Sequence, residues 1–329
     1  MPSASHIFRA MAITGPTASG KTALSLAVAK HFGAEILSCD SMQIYRGMNI
    51  GTAKATPEEQ ALVPHHLIDI ADPDESFSAS RYKEEAMRKA AELSARGKAI
   101  LFVGGTGLYL DTLCAYELPE IPASSEEHIR AISERFTRDG ELDRDALWSH
   151  LYEIDPESAE KTHKNNVRRV LRAIEIYEVS GVAKSELDRR SRERHGPFDI
   201  TEITLDAHNR ELLYERIDTR VDRMLSDGLL DEARRLLDDG LFCADSTAAQ
   251  AIGYKEMLDY LNGCTSLDES LENLKRSSRR YAKRQLTWFR SHKNAYVLYI
   301  DNEDGTPRDT NDIIAEAVDF FENNYLQKG

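Results

Sequence analysis

The stretch Gly15-Pro16-Thr17-Ala18-Ser19-Gly20-Lys21-Thr22 (GPTASGKT) matches the phosphate-loop pattern G-x-x-x-x-G-K-[ST] in full. It follows an apolar segment, residues 6–14, that is typical of a buried strand, and it precedes a helical pattern that runs through Lys30. Backbone N–H groups of such a loop surround phosphate oxygens, and the N-terminus of the following helix adds positive potential. We expect Lys21 to reach the outer phosphate and the Thr22 hydroxyl to ligate Mg²⁺. The sequence therefore predicts a phosphate-binding site with Mg²⁺ as cofactor.

Further strand patterns alternate with helical patterns along the chain. Residues 34–38 form a second predicted strand, which closes in Cys39-Asp40-Ser41, and residues 98–103 form a third, which runs into Gly104-Gly105-Thr106-Gly107. This alternation predicts an α/β fold with a parallel sheet flanked by helices. Because ligands of such sheets bind outside the carboxyl ends of the strands, the strand ends at Gly15, Asp40 and Gly104 are expected to meet in one cleft.

The middle of the chain differs from its flanks. Residues 121–198 are charged, helical in pattern and poor in strand signals, and strand character resumes at residues 200–205. We predict a helical insertion domain at residues 121–198, carried by a core of residues 1–120 and 199–329. The helices of the second core segment are expected at residues 211–225, 229–238, 253–261, 267–292 and 312–323, with a strand at residues 295–300.

Composition limits the possible classes of protein. Lys and Arg number 42 against 56 Asp and Glu, which gives a net charge of −14. No run of 18 apolar residues, no N-terminal secretion signal and no Cys-x-x-Cys pair occur, so we expect a cytoplasmic protein that contains neither a membrane span nor a zinc site. Against the acidic total, residues 275–293 contain eight Lys or Arg and no Asp or Glu. That segment is the candidate for contact with nucleic acid.

The strand ends supply the candidate reactive groups. A carboxylate at Asp40 in a phosphate cleft is favourable if it binds metal or moves a proton, although Asp is also a common helix N-cap. Thr106 is a plausible donor to a leaving phosphate oxygen, and Ser41 and Gln43 suit the edge of a base. The third strand ends in glycines rather than in a carboxylate, which weakens the case for ATP hydrolysis and favours another diphosphate substrate. His65 and His66 point to opposite faces, and we expect them to pack rather than to share a metal.

Seven stretches of the chain form one ordered set: residues 15–22 (GPTASGKT), 40–54 (DSMQIYRGMNIGTAK), 65–69 (HHLID), 104–109 (GGTGLY), 168–175 (RRVLRAIE), 251–255 (AIGYK) and 283–290 (KRQLTWFR). Taken together, they resemble one family, the tRNA dimethylallyltransferases, also called tRNA isopentenyltransferases. The resemblance spans roughly residues 12–290, and its order and number of motifs make it far more specific than a phosphate loop alone. One departure is Gln250-Ala251-Ile252, where family members often have an Arg before the Gly-Tyr pair.

The resemblance implies a P-loop, kinase-like core with a helical insertion that contacts tRNA. It implies transfer of a dimethylallyl group from dimethylallyl diphosphate to N6 of the adenine 3′-adjacent to the anticodon, with Mg²⁺. Asp40 is then the proton acceptor, with Lys21 and Thr106 as further catalytic residues. The predicted diphosphate site comprises Gly15, Pro16, Thr17, Ala18, Ser19, Gly20, Lys21, Thr22 and Arg220. The predicted tRNA contacts are Asp40, Ser41, Met42, Gln43, Thr106, Arg130, Arg168, Arg169, Arg172, Lys255, Arg279, Arg280, Lys283 and Arg284. We expect a monomer.

Other interpretations of the same residues stay open from sequence. A small-molecule kinase begins with the same loop but requires ATP turnover, and a prenyltransferase acting on free adenine nucleotide has no use for basic helices. A nucleotide-gated RNA-binding protein without catalysis leaves Asp40 unexplained. The basic helices can also be ordinary solvated faces, and the spacing of Trp288 and Phe289 favours core packing over base stacking.

Overall fold

The computed structural model describes residues 8–114, 125–192, 196–242 and 246–327. The chain forms two compact units. Unit 1 comprises Met1–Leu113 and Pro197–Gly329, and unit 2 comprises Cys114–Gly196. The sequence-based boundaries of the insertion, residues 121 and 198, lie seven residues after the start and two residues after the end of unit 2.

Helices and strands alternate through most of unit 1. Within the described ranges the strands are, in chain order, β1 Phe8–Thr14, β2 Ala34–Ser38, β3 His65–His66, β4 Ala99–Gly104, β5 Thr137–Arg138, β6 Glu141–Leu142, β7 Phe198–Asp206 and β8 Tyr296–Tyr299. The helices are α1 Lys21–Phe32, α2 Pro57–Leu62, α3 Ala79–Ala95, α4 Gly107–Cys114, α5 Glu126–Arg135, α6 Arg144–Ile154, α7 Pro156–Lys161, α8 Val167–Ser180, α9 Lys184–Arg192, α10 Arg210–Ser226, α11 Leu229–Asp238, α12 Tyr254–Leu261, α13 Leu267–Phe289 and α14 Thr310–Phe321, which continues in a π-helical turn at Glu322–Leu326.

The described strands of unit 1 form one sheet in the order β3-β2-β4-β1-β7-β8. Every neighbouring pair is parallel. The phosphate-loop strand β1 lies inside the sheet, where Met11 pairs with Leu101 of β4 and Ala12 with Glu202 of β7. Continuous apolar strands form parallel sheets because helices cover both faces and bury alternate side chains on each side. The predicted α/β fold with a helix-flanked parallel sheet is thereby confirmed.

Two hydrophobic clusters hold the functional cleft in place. The first joins the sheet, through residues such as Ile13 and Ile203, to α1, α10 and α13. The second packs the loop after β2, at Ile44 and Met48, against α11, α12 and α13. Each fully buried aliphatic side chain contributes on the order of 2 kcal/mol of burial free energy. The polar loop after β2 is therefore anchored by its apolar residues and forms a fixed wall.

The described residues of unit 2 form helices and the β5-β6 hairpin. Its core packs α5, α6 and α8 together through buried residues that include Ile132, Leu147, Leu151 and Ile174. Asp155 lies between α6 and α7, where it accepts hydrogen bonds from the backbone of Ser158 at 3.1 Å and of Ser185 at 2.9 Å. In the described residues of both units, no helix combines the length and the apolarity that crossing a membrane requires.

Candidate functional site

The phosphate loop leaves β1 and ends at the first residue of α1. Gly15 has a φ of +135°, and a Cβ at this position would lie 2.7 Å from the backbone oxygen of Leu205, so only glycine fits. Gly20, with a φ of +92°, precedes the first helical residue, Lys21. The Ser19 hydroxyl donates to the Pro16 oxygen at 2.8 Å and closes the loop on itself. The loop and the N-terminus of α1 therefore have the conformation that an anion site requires.

Lys21 is held over the loop. Its Nζ donates to the oxygens of Gly15 at 3.0 Å and Pro16 at 2.6 Å. Burial lowers the pKa of Lys21 to about 7, with a further lowering by Arg220 that the charge of Asp40 opposes. Burial likewise lowers the pKa of Arg220, and the charge of Asp40 opposes this shift without cancelling it. Lys21 and Arg220 thus lie close enough to each other and to Asp40 for their charges to interact, an arrangement suited to a polyanionic ligand.

One cleft of about 930 Å³ contains these groups. Its lining joins the phosphate loop, the end of β2 and the end of β4, so the prediction that these strand ends meet is confirmed. Gly104 allows the ends of β2 and β4 to approach each other, because a Cβ at position 104 would lie 2.0 Å from the Cys39 oxygen. Among the predicted residues, the lining includes Thr17, Ala18, Ser19, Gly20, Lys21, Thr22, Asp40, Ser41, Met42, Gln43, Arg220 and Arg284.

Asp40 follows β2 and turns the chain. One carboxylate oxygen accepts the Met42 backbone N–H at 2.9 Å, which leaves the other oxygen to the cleft. Thr106 is beside this turn rather than in the cleft lining. Its Oγ1 accepts the Ser41 backbone N–H at 3.0 Å and lies 3.3 Å from the Ser41 hydroxyl. In this structure Thr106 therefore fixes the residue next to Asp40, and its contact with a leaving oxygen stays a prediction.

Gln43, predicted to read a base, is tied to the protein. Its Oε1 accepts from the Ser38 hydroxyl at 2.8 Å, and its Nε2 donates to the Thr52 and Ala53 oxygens, each at 3.3 Å. The amide therefore links β2 to the far end of the loop, and only part of its surface faces the cleft.

The sequence did not reveal the role of Glu232 of α11. Its buried carboxylate accepts the backbone N–H groups of Asn49 at 3.1 Å and Ile50 at 2.9 Å, and the Tyr254 hydroxyl at 2.6 Å. These bonds hold the loop after β2, whose residues Gly51–Ala53 face the cleft. Glu232 lies among the apolar residues of the buried face of α11, and an acidic residue at such a position is the sequence pattern that indicates this role.

Helix α10 contributes three arginines to the cleft, of which the sequence predicted only Arg220. Arg216, Arg220 and Arg223 all line the cleft, at helical spacings of four and three residues. The same helix turns Leu212, Ile217, Val221 and Met224 toward the cleft, where Leu274 of α13 joins them. The cleft thus offers cations beside hydrocarbon, which matches a ligand that has both a phosphate group and an apolar group.

The predicted RNA-binding residues of α13 are in different environments. Arg280, Lys283 and Arg284 are exposed, and Arg284 also lies 5.5 Å from the centre of the Tyr281 ring. Arg279 instead pairs with Asp218 of α10, with contacts of 2.5 and 2.7 Å. Arg279 is therefore held in an intramolecular ion pair in this structure.

The end of α13 is joined to α4 by Asp111. Phe289 is buried, as predicted, but Trp288 is 39% exposed, and its Nε1–H donates to Asp111 at 3.1 Å, so core packing was wrong for Trp288. His292 lies between Asp111 and Glu202, 3.0 Å from each. Burial lowers the pKa of His292, but the hydrogen bonds to these two carboxylates outweigh burial and raise it to about 10.

The remaining predicted contacts lie on other helices. Arg130 in α5 and Lys255 in α12 are exposed. Arg168 and Arg169 are exposed in the first turn of α8, and in the described part of the chain neither guanidinium has an acidic partner. Arg172 pairs with the buried Glu175 one turn along the same helix. Cations at a helix N-terminus oppose the helix dipole, so the first turn of α8 favours an anionic partner from outside the helix.

The two adjacent histidines pack within the protein, as predicted. His66 Nε2 lies 2.7 Å from Glu35, and His65 Nδ1 lies 2.8 Å from the Val63 oxygen. Within the four described ranges, no group of three or more His, Cys, Asp or Glu side chains is placed to hold a metal.

The sequence and the structure both match known proteins. The sequence model of the IPP transferase family matches residues 43–292. A tRNA dimethylallyltransferase of Halalkalibacterium halodurans is 47% identical over 295 residues, which cover 89% of this chain and 91% of the relative. One from Geobacillus thermodenitrificans is 49% identical over 280 residues, or 85% and 86% of the two chains.

Solved structures agree with these sequence matches. The full-length tRNA isopentenylpyrophosphate transferase of Bacillus halodurans has a TM-score of 0.70 at 42% identity and covers 97% of both chains. A eukaryotic dimethylallyltransferase, solved in crystallographic snapshots acting on tRNA, has a TM-score of 0.81 at 30% identity and covers 98% of this chain and 80% of its own. The sheet and phosphate loop are accordingly those of a P-loop NTPase-like fold. The chain belongs to the IPP transferase family, the tRNA dimethylallyltransferases.

Proposed function

We propose that this chain transfers a dimethylallyl group from dimethylallyl diphosphate to N6 of the adenine 3′-adjacent to the anticodon of tRNA. The single observation that carries the proposal is the cleft of unit 1, in which the phosphate loop, Lys21 and Arg220 lie beside Asp40 and an apolar wall. A prenyl diphosphate needs that combination of cations and hydrocarbon. The tRNA substrate enters the proposal from the names of the relatives.

The chemistry follows from the groups that share the cleft. A bond forms between N6 of adenine and C1 of the dimethylallyl group while the bond from C1 to the bridging oxygen breaks. The leaving diphosphate gains negative charge, which Lys21, Arg220 and the amides of the phosphate loop stabilise. The amine becomes acidic as it forms the bond, and Asp40 accepts its proton. Thr106 stays a proposed donor to the bridging oxygen.

Mg²⁺ fits the donors of this cleft. Magnesium in phosphate sites takes one or two protein ligands and completes its coordination with substrate oxygens and water. The Thr22 hydroxyl lines the cleft in the first turn of α1 and would hold the ion together with diphosphate oxygens. When bound, Mg²⁺ neutralises charge on the leaving diphosphate.

Contact with tRNA requires positive charge outside the cleft and a base that leaves its stack. Support comes from Arg280 and Lys283, which are exposed on α13 outside the cleft lining, beside the exposed Arg284 at its edge. In unit 2, the first turn of α8 presents Arg168 and Arg169. The described residues that line the cleft all belong to unit 1 of one chain, so we propose that a monomer is sufficient for the reaction.

A small-molecule kinase is the second candidate, since it shares the phosphate loop. Incubating the protein with labelled dimethylallyl diphosphate, Mg²⁺ and either total tRNA or AMP separates the possibilities. We expect label in tRNA alone and no consumption of added ATP. Label in AMP would identify a nucleotide prenyltransferase, and ADP release without transfer of label would identify a kinase.

A further inference from the structure

Gln285 of α13 connects two loops that both belong to the cleft. Its side chain is buried, with 5% of the residue exposed. The Thr17 backbone N–H of the phosphate loop donates to Gln285 Oε1 at 2.9 Å. In turn, Gln285 Nε2 donates to the Gly105 oxygen, after β4, at 3.0 Å. One amide therefore joins a donor of one loop to an acceptor of the other.

The second loop leads directly to the proposed proton acceptor. Gly105 precedes Thr106, whose hydroxyl accepts the backbone N–H of Ser41, the residue after Asp40. A continuous series of contacts thus runs from the phosphate loop through Gln285 to the turn that carries Asp40. The proposed reaction needs these two ends at a fixed separation, because the diphosphate is held at one and the proton is removed at the other.

The local geometry requires a side chain that accepts a hydrogen bond at one atom and donates one at another. A carboxylate accepts but does not donate, and an ammonium or guanidinium donates but does not accept, whereas the Gln amide does both. The partner loop is shaped to receive it, since a Cβ at Gly105 would lie 2.1 Å from Gln285 Nε2. Glycine at position 105 therefore leaves the space that the amide occupies.

We propose that Gln285 is a positioning residue, which sets the phosphate loop relative to the turn containing Asp40 by bridging Thr17 and Gly105. This inference rests on the proposed function. Gln285 acts through the two loops, and no bond is made or broken at its side chain.

The test compares Gln285→Met, which keeps the length but removes both hydrogen bonds, with Gln285→Glu. A control, Leu298→Ala, removes a buried side chain from the edge strand β8, outside both loops, and is expected to lower thermal stability. The values of kcat and KM for the prenyl diphosphate are measured at saturating tRNA between pH 6 and pH 8. The melting temperature of each variant is recorded alongside.

For Gln285→Met we expect a loss of about 10- to 100-fold in kcat/KM for the donor, the scale of a misplaced catalytic loop. The ratio to wild type is expected to be the same at every pH. In Gln285→Glu at pH 8, a carboxylate faces the Gly105 oxygen, and the loss is larger. Burial raises the pKa of such a carboxyl, so at pH 6 its O–H donates and the ratio to wild type recovers by about tenfold. Leu298→Ala is expected to keep kcat/KM within about twofold.

The positioning role would be overturned if Gln285→Met had the kcat/KM of the wild-type protein. It would also be overturned if the kcat/KM of Gln285→Glu relative to wild type did not change with pH. If the wild-type protein itself transfers no prenyl group, the proposed function fails, and calorimetric binding of inorganic diphosphate then decides the inference. About tenfold weaker binding by Gln285→Met than by wild type supports the bridge, and equal binding refutes it.

Discussion

Lys21 provides the sharpest test of how the cleft binds its donor. In the ligand-free protein burial lowers the pKa of Lys21 to about 7, with Arg220 lowering it further and Asp40 opposing both. A bound diphosphate adds negative charge beside the ammonium and restores a high pKa. The complex therefore holds one more proton than the free protein above pH 7, and donor affinity must fall as pH rises.

The size of the effect follows from the pKa of about 7. The dissociation constant scales with the reciprocal of the protonated fraction of Lys21 in the free protein, and this reciprocal grows roughly 50-fold between pH 7 and pH 9 if the complex titrates above that window. That change corresponds to about 2.3 kcal/mol of binding free energy. Below pH 7 the lysine is charged in both states, and its contribution to the pH dependence vanishes.

The assay is calorimetric titration with an unreactive alkyl diphosphate at fixed Mg²⁺, from pH 7 to pH 9. The second pKa of a monoester phosphate is about 6, so most of a terminal phosphate is already ionised at pH 7 and the ligand itself titrates little above it. Repeating the pH 8 titration in two buffers of different ionisation enthalpy should show uptake of about one proton. In a Lys21→Arg variant the guanidinium stays protonated, and the dissociation constant should be flat.

A wild-type affinity that does not change between pH 7 and pH 9 would refute this account. The account would also be refuted if the dissociation constant of Lys21→Arg rose with pH as steeply as that of wild type, because the titrating group would then lie elsewhere.

Three further predictions concern other residues. Asp40→Asn should slow single-turnover transfer by roughly 10²- to 10⁴-fold while tRNA affinity stays near that of wild type, and an unchanged rate would remove Asp40 as proton acceptor. Arg280→Ala should lower the slope of log affinity for tRNA against log salt by about 0.7 to 0.9. Arg279→Ala, which breaks the pair with Asp218, should instead lower thermal stability and leave that slope unchanged. Equal slopes for both variants and wild type would exclude α13 from the RNA contact. Since the pKa of His292 is raised to about 10, its stabilising contribution is complete below pH 6.5 and is lost as pH rises to 10, so His292→Gln should reduce the melting temperature at pH 6.5 but change it little at pH 10.5.

Local signals in the sequence were sufficient for the sheet and the phosphate loop. The strand Ala34–Ser38 and the helix Leu229–Asp238 have their predicted bounds, because a short segment with an apolar centre and an amphipathic repeat are each visible within a few residues. The helix Ala79–Ala95 was not predicted. Its buried side chains, Tyr82, Ala86, Ala90 and Leu93, include two alanines, which contribute little hydrophobic contrast among charged neighbours.

Partners distant in sequence were beyond such signals. Arg279 and Trp288 belong to one basic segment, yet Arg279 meets Asp218 and Trp288 meets Asp111, which is 177 residues away. A basic segment indicates an RNA surface, but the packing of α13 on α10 determines that Asp218 pairs with Arg279. The sequence could therefore identify the helix as basic without distinguishing the exposed arginines from the paired one.

Helix α13 combines two surfaces whose separation determines what a substitution does. Its buried side carries Gln285, which holds loops 268 and 180 residues distant in the chain. Its exposed side carries Arg280 and Lys283, which no described residue neutralises. Because buried residues run along the other side of the helix, a change on the exposed side should alter the affinity for tRNA but leave the positions of the two loops unchanged. A change at Gln285 should instead alter the reaction of a tRNA that still binds normally.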